Sequence, residues 1–354
     1  MDQRGGIGDL GSLYFSHPAC LGHDPRELSP GHPDTPERLV VLEREMAARD
    51  WLGWERREAP PATEDELELV HDARLVQAIK GLCERGGGAI DSDTCVGAGS
   101  WEASLRAAGA AAAMTRALLA GEAGRAYCAI RPSGHHAESG RAMGFCLFNN
   151  VAVAAATAIA ELGVRRVLVL DWDVHHGNGT EEIFRGRGDV LFVSLHQRPL
   201  YPGTGALGET GVGEGEGHTI NLPVPPGARE PLWLSLIDRV VLPAARAFEP
   251  ELVLVSAGFD AHTRDPLAGC ELETSSFATM AARVRDLAAE LGAPVGVVQE
   301  GGYDAEVLAE CVGATMEALA APAKALGAAE EQPGALDPIV VRAIETHGRW
   351  WPLA

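Results

Sequence analysis

The sequence predicts an α/β domain built on one open, mostly parallel sheet with helices on both faces. Three observations predict it. Short apolar runs recur along the chain, each ending in polar or glycine-rich residues. Alanine-rich stretches of helical length separate them. The runs lack the apolar–polar alternation of a half-solvated strand, as expected for strands buried on both sides of a parallel sheet.

In chain order, the first run is Ala126-Tyr127-Cys128-Ala129-Ile130, before Arg131-Pro132-Ser133-Gly134-His135-His136. The second is Val167-Leu168-Val169-Leu170, before Asp171-Trp172-Asp173-Val174-His175-His176-Gly177-Asn178-Gly179. Val190-Leu191-Phe192-Val193 precedes Ser194-Leu195-His196, and Leu252-Val253-Leu254-Val255 precedes Ser256-Ala257-Gly258-Phe259-Asp260. The last, Val295-Gly296-Val297-Val298, precedes Gln299-Glu300-Gly301-Gly302-Tyr303. Helical patterns include 101–120, 150–163, 232–248 and 274–291. Ligands of such sheets bind beyond the carboxyl ends of the strands. Every polar cluster just named falls there, which points to a single active site.

Bulk properties narrow the function. A chain of 354 residues, 46% hydrophobic and 22% charged, is ordinary for a globular protein. Its net charge of −21 argues against direct nucleic-acid binding and is compatible with cationic substrates, although solubility alone accounts for most of it. The seven cysteines are scattered with no CxxC pair, which fits a reducing compartment. Met1-Asp2-Gln3-Arg4-Gly5-Gly6 shows no apolar signal-peptide core, and no apolar run reaches the roughly 18 residues of a membrane span. A cytoplasmic protein with no membrane contact is expected. The glycine-rich segment 203–217 reads as a loop near the site mouth, not a dinucleotide fingerprint. A division into a catalytic domain over 1–321 and a tail over 322–354 is expected, with Trp350 and Trp351 packing on the body or in a homo-oligomer interface.

The chemistry concentrates after the second run. Side chains on a strand alternate faces, so Asp171, Asp173 and His175 are expected on one side, with Trp172 and Val174 on the other. Two carboxylates and an imidazole together need compensation, and the segment has no Lys or Arg. A divalent metal is the simplest answer, and a buried salt-bridge network the bland one. Catalytic zinc sites use three protein ligands. Asp173 and His175 supply two, and Asp260 is the best third. Asp265 competes, but Asp265-Pro266 reads as a turn start. This donor set suits zinc, with ferrous iron as the alternative. A divalent cation acidifies a neighbouring water to a pKa of ~7. A neutral imidazole from His135-His136 could take its proton. Each histidine then needs a partner on its other nitrogen, for which Asp171 and Asn178 are placed. Tyr303, after Gly301-Gly302, can bring a phenol close to a ligand. Cys146 reads as a small buried hydrophobe.

These motifs resemble the zinc-dependent histone deacetylase family, which includes bacterial histone-deacetylase-like amidohydrolases and acetylpolyamine amidohydrolases. The resemblance runs from about Phe15 to Leu319. It is carried by His32-Pro33-Asp34-Thr35-Pro36-Glu37-Arg38, 131–137, Gly144-Phe145-Cys146-Leu147-Phe148-Asn149-Asn150, 171–180, 256–262 with Asp265-Pro266-Leu267, and 300–303. It implies the arginase/deacetylase fold with an eight-stranded sheet, and one zinc held by Asp173, His175 and Asp260. It implies His136 as general base and later acid, His135 with Asp171 as electrostatic partner, and Tyr303 polarising the acyl carbonyl. Phe145 and Tyr201 would wall the acyl channel, with Gly144 beside Phe145. Asp93 would accept the substrate amide, Arg38 would line the acid exit, and Gly301 would lie against the substrate. Potassium would sit on carbonyls of Asp171, Asp173 and His175 with Ser194 and Leu195.

Asn178 stands where class I members have Asp, so the chain looks like class II. Leu267 stands where some polyamine-selective members place a Glu. The expected substrate is an acylated lysine peptide, with an acetylpolyamine or other small amide as the alternative. A two-manganese ureohydrolase and a catalytically silent binding module are the remaining rivals.

Overall fold

The computed structural model describes residues 10–326 and 336–353. The opening segment read above for a signal peptide, and positions 327–335 of the expected tail, lie outside the described residues.

In chain order the strands are β1 (Ser12–Ser16), β2 (Glu55–Glu58), β3 (Gly87–Ala89), β4 (Cys95–Gly97), β5 (Arg125–Cys128), β6 (Val167–Asp171), β7 (Val190–Gln197), β8 (Thr219–Val224), β9 (Leu252–Ala257) and β10 (Val295–Gln299). Eight of them form one open sheet in the order β2-β1-β5-β10-β9-β6-β7-β8. All neighbouring pairs in it are parallel. β3 and β4 make a separate antiparallel pair.

The five apolar runs became five sheet strands, and the other three lacked that signal. β2 reads Glu-Arg-Arg-Glu and lies at one sheet edge, where charge discourages further pairing. β8 lies at the other edge and contains Pro223, which is tolerated there. β1 pairs with both β2 and β5, and its Tyr14 and Phe15 are buried.

Helices cover both faces, as the parallel connections require. Helix Ser100–Leu119 packs on Asn150–Leu162, and Thr274–Leu291 packs on Ala305–Ala320, which in turn packs on Glu37–Ala48. The expected helix over 232–248 is two α-helical pieces, Glu230–Leu236 and Leu242–Phe248, joined by a π-helical turn over Ile237–Val241. Helix Asn150–Leu162 begins where the Asn149 side chain accepts from the Ala152 amide and ends at Gly163, in the left-handed region at φ 72°. Its alanines are almost all buried, so its backbone lies close against its neighbours. No helix of the described residues is long and apolar enough to cross a membrane.

The described part of the tail packs on the body of its own chain. Helix Pro338–His347 lies against β8. Trp351 donates its indole N–H to the Gly217 carbonyl at 2.7 Å and meets the rings of His218 and Phe248. The 203–217 segment is a loop with a short 3-10 turn at Gly213–Gly215.

Candidate active site

The site forms where β5, β6, β9 and β10 end. The strand β6 stops at Asp171, which corrects the expectation that Asp173 and His175 lie on it. They sit in a bend beyond it, and carboxylate–amide hydrogen bonds set their placement. Asp171 accepts from the Asp173 amide at 3.0 Å, Asp173 from the His175 amide at 2.8 Å, and Asp260 from the Val174 amide at 2.9 Å. The bend thus brings β6 and β9 together at one point.

Asp173, His175 and Asp260 are buried, and one ligand atom of each lies within 4.8 Å of the others. His175 Nδ1 is 3.1 Å from Asp173 Oδ1 and 3.0 Å from Asp260 Oδ2. Among the described residues no Lys or Arg forms an ion pair with either carboxylate. Two buried carboxylates therefore face one imidazole, with no Lys or Arg to compensate them. This donor set, and this excess of negative charge, fit a divalent metal with mixed nitrogen and oxygen ligands. Gly301 is part of the geometry. Its amide donates to Asp173 Oδ2 at 2.8 Å, and a Cβ there would lie 2.2 Å from Asp260 Oδ2.

The two adjacent histidines have different partners. His135 Nδ1 is 2.9 Å from Asp171 Oδ2. Burial disfavours its charged form, but Asp171 and Asp173 outweigh burial and hold the imidazole pKa well above its usual value. His136 Nδ1 is 2.8 Å from Asn178 Oδ1. Burial pushes its pKa well below the usual value, and the positive charge of His135 and His175 adds to this. The Asn178 amide donates from Nδ2 to Glu138 Oε1 at 2.9 Å. An ionised carboxylate only accepts, so the Asn178 oxygen must face His136. His136 then carries its proton on Nδ1, and Nε2 is left with a free lone pair. The geometry thus pairs one charged histidine with one neutral histidine. Glu138 has no motif signal, because its role depends on a fold that brings it to Asn178.

Beyond β10, Tyr303 follows two glycines. Its amide donates to Asp265 Oδ2 at 2.7 Å. Asp265 also accepts from the Leu267 amide at 2.9 Å, so the expected turn is there and also fixes the Tyr303 backbone. Burial pushes the Tyr303 phenol well above its usual pKa, keeping it a donor. The Arg38 guanidinium lies 4.8 Å from the Tyr303 ring centroid. Arg38 also donates to the Gly302 carbonyl at 2.6 Å, the Glu300 carbonyl at 2.5 Å and Asp34 Oδ1 at 2.7 Å.

Aromatic rings line the approach. Phe145 meets Tyr303 at 5.9 Å, and Tyr201 meets His136 at 5.1 Å, both edge-on. Phe145 sits in the left-handed region at φ 66°, a strained conformation of the kind found at functional sites. Gly144 before it has φ 58°, and a Cβ there would lie 2.5 Å from the His136 ring. Leu267 is half-buried. Asp93 is partly exposed, takes a bond from the Thr94 hydroxyl at 2.8 Å, and its carbonyl lies 3.0 Å from His32 Nε2. Asp171 and Ser194 are register partners, and Leu195 follows in the same buried strand.

One further expectation changes. Ser194-Leu195-His196 does not lie beyond a strand end, because β7 runs on to Gln197. His196 joins a second polar network, with Nδ1 3.0 Å from Ser194 Oγ, Nε2 2.9 Å from the Gly205 carbonyl, and its ring against His176. Cys146 is fully buried and burial raises its thiol pKa well above the usual value, in keeping with the reading of a small hydrophobe.

Comparison with known proteins gives the family. A model of the histone deacetylase domain matches residues 32–319. A histone deacetylase-like amidohydrolase of Pseudomonas aeruginosa is 43% identical over 311 residues, 86% of this chain and 79% of that protein. A probable deacetylase of Archaeoglobus fulgidus is 38% identical, over 82% of this chain and 80% of its own length. The crystal structure of the HDA15 HD domain superposes with a TM-score of 0.89 at 33% identity, covering 97% of this chain and 96% of that one. With this extent of shared sequence and fold, the chain belongs to the histone deacetylase family of amidohydrolases and deacetylases.

Proposed function

We propose that this chain is a zinc-dependent deacetylase that hydrolyses the amide of N-acetyl or larger N-acyl lysine side chains. One observation carries the reading: a buried Asp–His–Asp set lies beside a histidine pair whose Nδ1 atoms meet a carboxylate and an amide oxygen. Asp173, His175 and Asp260 would hold the metal. A bound zinc ion supplies a Lewis acid that polarises the acyl carbonyl and acidifies water.

The remaining work falls to side chains. His136 Nε2 takes a proton from the attacking water and later delivers it to the leaving amine nitrogen. The Tyr303 hydroxyl donates to the carbonyl oxygen as negative charge builds there. His135, kept charged by Asp171, holds a positive field beside that oxygen without giving up its proton. The C–N bond breaks to give a carboxylate and a free amine.

Phe145 and Tyr201 flank the acyl-lysine stem, Asp93 accepts from the substrate main chain, and Arg38 lines the way out for the acid. Gly144 and Gly301 let the wall approach closely. Leu267 places an apolar group, not a carboxylate, at the rim, which favours a lysine peptide over a polyamine. Potassium on the carbonyls of Asp171, Asp173 and His175, with Ser194 and Leu195, is part of the same proposal. All seven cysteines are free and buried, consistent with a cytoplasmic setting.

Steady-state assay of the zinc-loaded protein with an acetyl-lysine peptide and with N-acetylputrescine tests the reading. The expected result is a higher kcat/KM for the peptide. Preference for N-acetylputrescine would reassign the substrate, and no cleavage of either would overturn the reading.

A further inference from the structure

We infer that Glu300, which the chemistry above does not use, is a positioning residue that holds the histidine pair and Tyr303 in register across the site. The inference rests on the deacetylase reading. Glu300 is completely buried at the end of β10. Its Oε2 accepts from the Gly134 amide at 2.7 Å and the His135 amide at 3.2 Å. Its Oε1 accepts from the Ser256 hydroxyl of β9 at 2.8 Å. Its own carbonyl accepts from Arg38, and the next amide, Gly301, donates to Asp173. One residue therefore joins the histidine segment, β9, the ligand Asp173 and the segment that carries Tyr303.

The character of the contact supports a positional role. Among the described residues no Lys or Arg forms an ion pair with the Glu300 carboxylate, and its hydrogen bonds come from two main-chain amides and a hydroxyl, with the His135 imidazole within 4.8 Å. Burying a carboxylate on such terms is costly, and an apolar side chain could fill the space without that cost. What an apolar side chain cannot do is fix two successive main-chain amides of the histidine segment. One ligand atom each of His135, Cys146 and Glu300 also lies within 4.8 Å of the others. The Glu300 oxygens are already engaged by three donors and His135 Nδ1 by Asp171, so the arrangement is a clamp and not a ligand set.

The full chain with Glu300→Met and Glu300→Gln tests this by kinetics on the acetyl-lysine peptide, metal content, and hydrogen exchange at the Gly134 and His135 amides. Met removes the acceptors. Gln can still accept from both amides while its NH2 donates to Ser256. For Glu300→Met we expect kcat to fall by about 10²-fold, the loss typical of a small misplacement of reacting groups. KM and a content of about one metal per chain should be unchanged, with faster exchange at the two amides. Glu300→Gln should recover most of kcat and the slow exchange. Unchanged kcat in Glu300→Met, a loss confined to KM, no rescue by Gln, or two metals per chain in the parent would each overturn the inference. If Glu300→Met does not fold, fast exchange of these amides in the parent overturns it. A parent that exchanges slowly but cleaves no acyl amide would refute the deacetylase reading and leave the clamp standing.

Discussion

Two buried charged clusters lie near Tyr303, and they are built on opposite terms. In the first, Asp34 accepts from Arg38 and Arg131 at 2.7 Å each, with His23 Nε2 3.6 Å from its other oxygen. Burial raises the Asp34 carboxyl pKa, but the two guanidinium groups more than offset this and hold it well below the usual carboxylate range. In the second, Asp173 and Asp260 share one imidazole and no guanidinium. Burial and the charge of Asp173 push the Asp260 carboxyl up. Both clusters are removed from water, where an uncompensated charge is costly. The first sets one carboxylate between two guanidinium groups, whose other N–H groups donate to main-chain carbonyls. The second has a charge deficit that an external cation can fill, and it is the second that faces the histidine pair.

Breaking the second cluster should give the largest effect. Asp260→Ala should lose the metal and all measurable turnover, read by elemental analysis and the peptide assay; a fully metallated variant would remove Asp260 from the ligand set. His136→Ala should lower kcat by about 10³-fold while the metal stays bound, the range expected for losing a general base. Tyr303→Phe should cost about 10²-fold in kcat, as loss of one oxyanion donor typically does. An unchanged kcat in that variant would take Tyr303 out of the chemistry.

Breaking the first cluster should change turnover least and stability most. Asp34→Asn leaves two buried guanidinium groups short of a countercharge, and such losses cost about 3–5 kcal/mol. Thermal and denaturant unfolding would read this, with kcat per folded molecule close to that of the parent. The pH dependence follows from the sign of the shift. A carboxylate whose folded pKa is depressed adds stability above its unfolded value of about 3.9, and that stability is lost as pH falls towards the folded value. The parent should therefore lose stability on acidification over this range more steeply than Asp34→Asn. Parallel acid limbs would contradict the assignment.

Much of this contrast was legible in the sequence. The second cluster sits on contiguous motifs after strongly apolar strands, so Asp173, His175 and Asp260 could be named from 171–175 and 256–260. The partners of the two histidines could be named as well, because Asp171 and Asn178 lie in the same motif. Illegible were the contacts made by carboxylates far away in the chain. Glu138 orients Asn178, Glu300 holds the Gly134 and His135 amides, and Asp34 joins Arg38 to Arg131. Asp34 and Glu300 stand in motifs and Glu138 in none, but no local pattern shows these long-range pairings, which exist only once the sheet is assembled. The edge strands were missed for a related reason. β2 is charged throughout and β8 contains a proline, so their pairing follows from position in the sheet and not from apolar periodicity. The alternation rule also failed past Asp171, where backbone-to-carboxylate bonds replace the strand.

The most direct test of the charge deficit is elemental analysis of the purified protein before and after dialysis against a strong chelator, with amide cleavage measured on the same samples. The expected result is about one zinc per chain, loss of cleavage when it is removed, and recovery when zinc is restored. A protein that contains no metal and cleaves acyl-lysine amides at an undiminished rate in chelator would contradict the account at its centre.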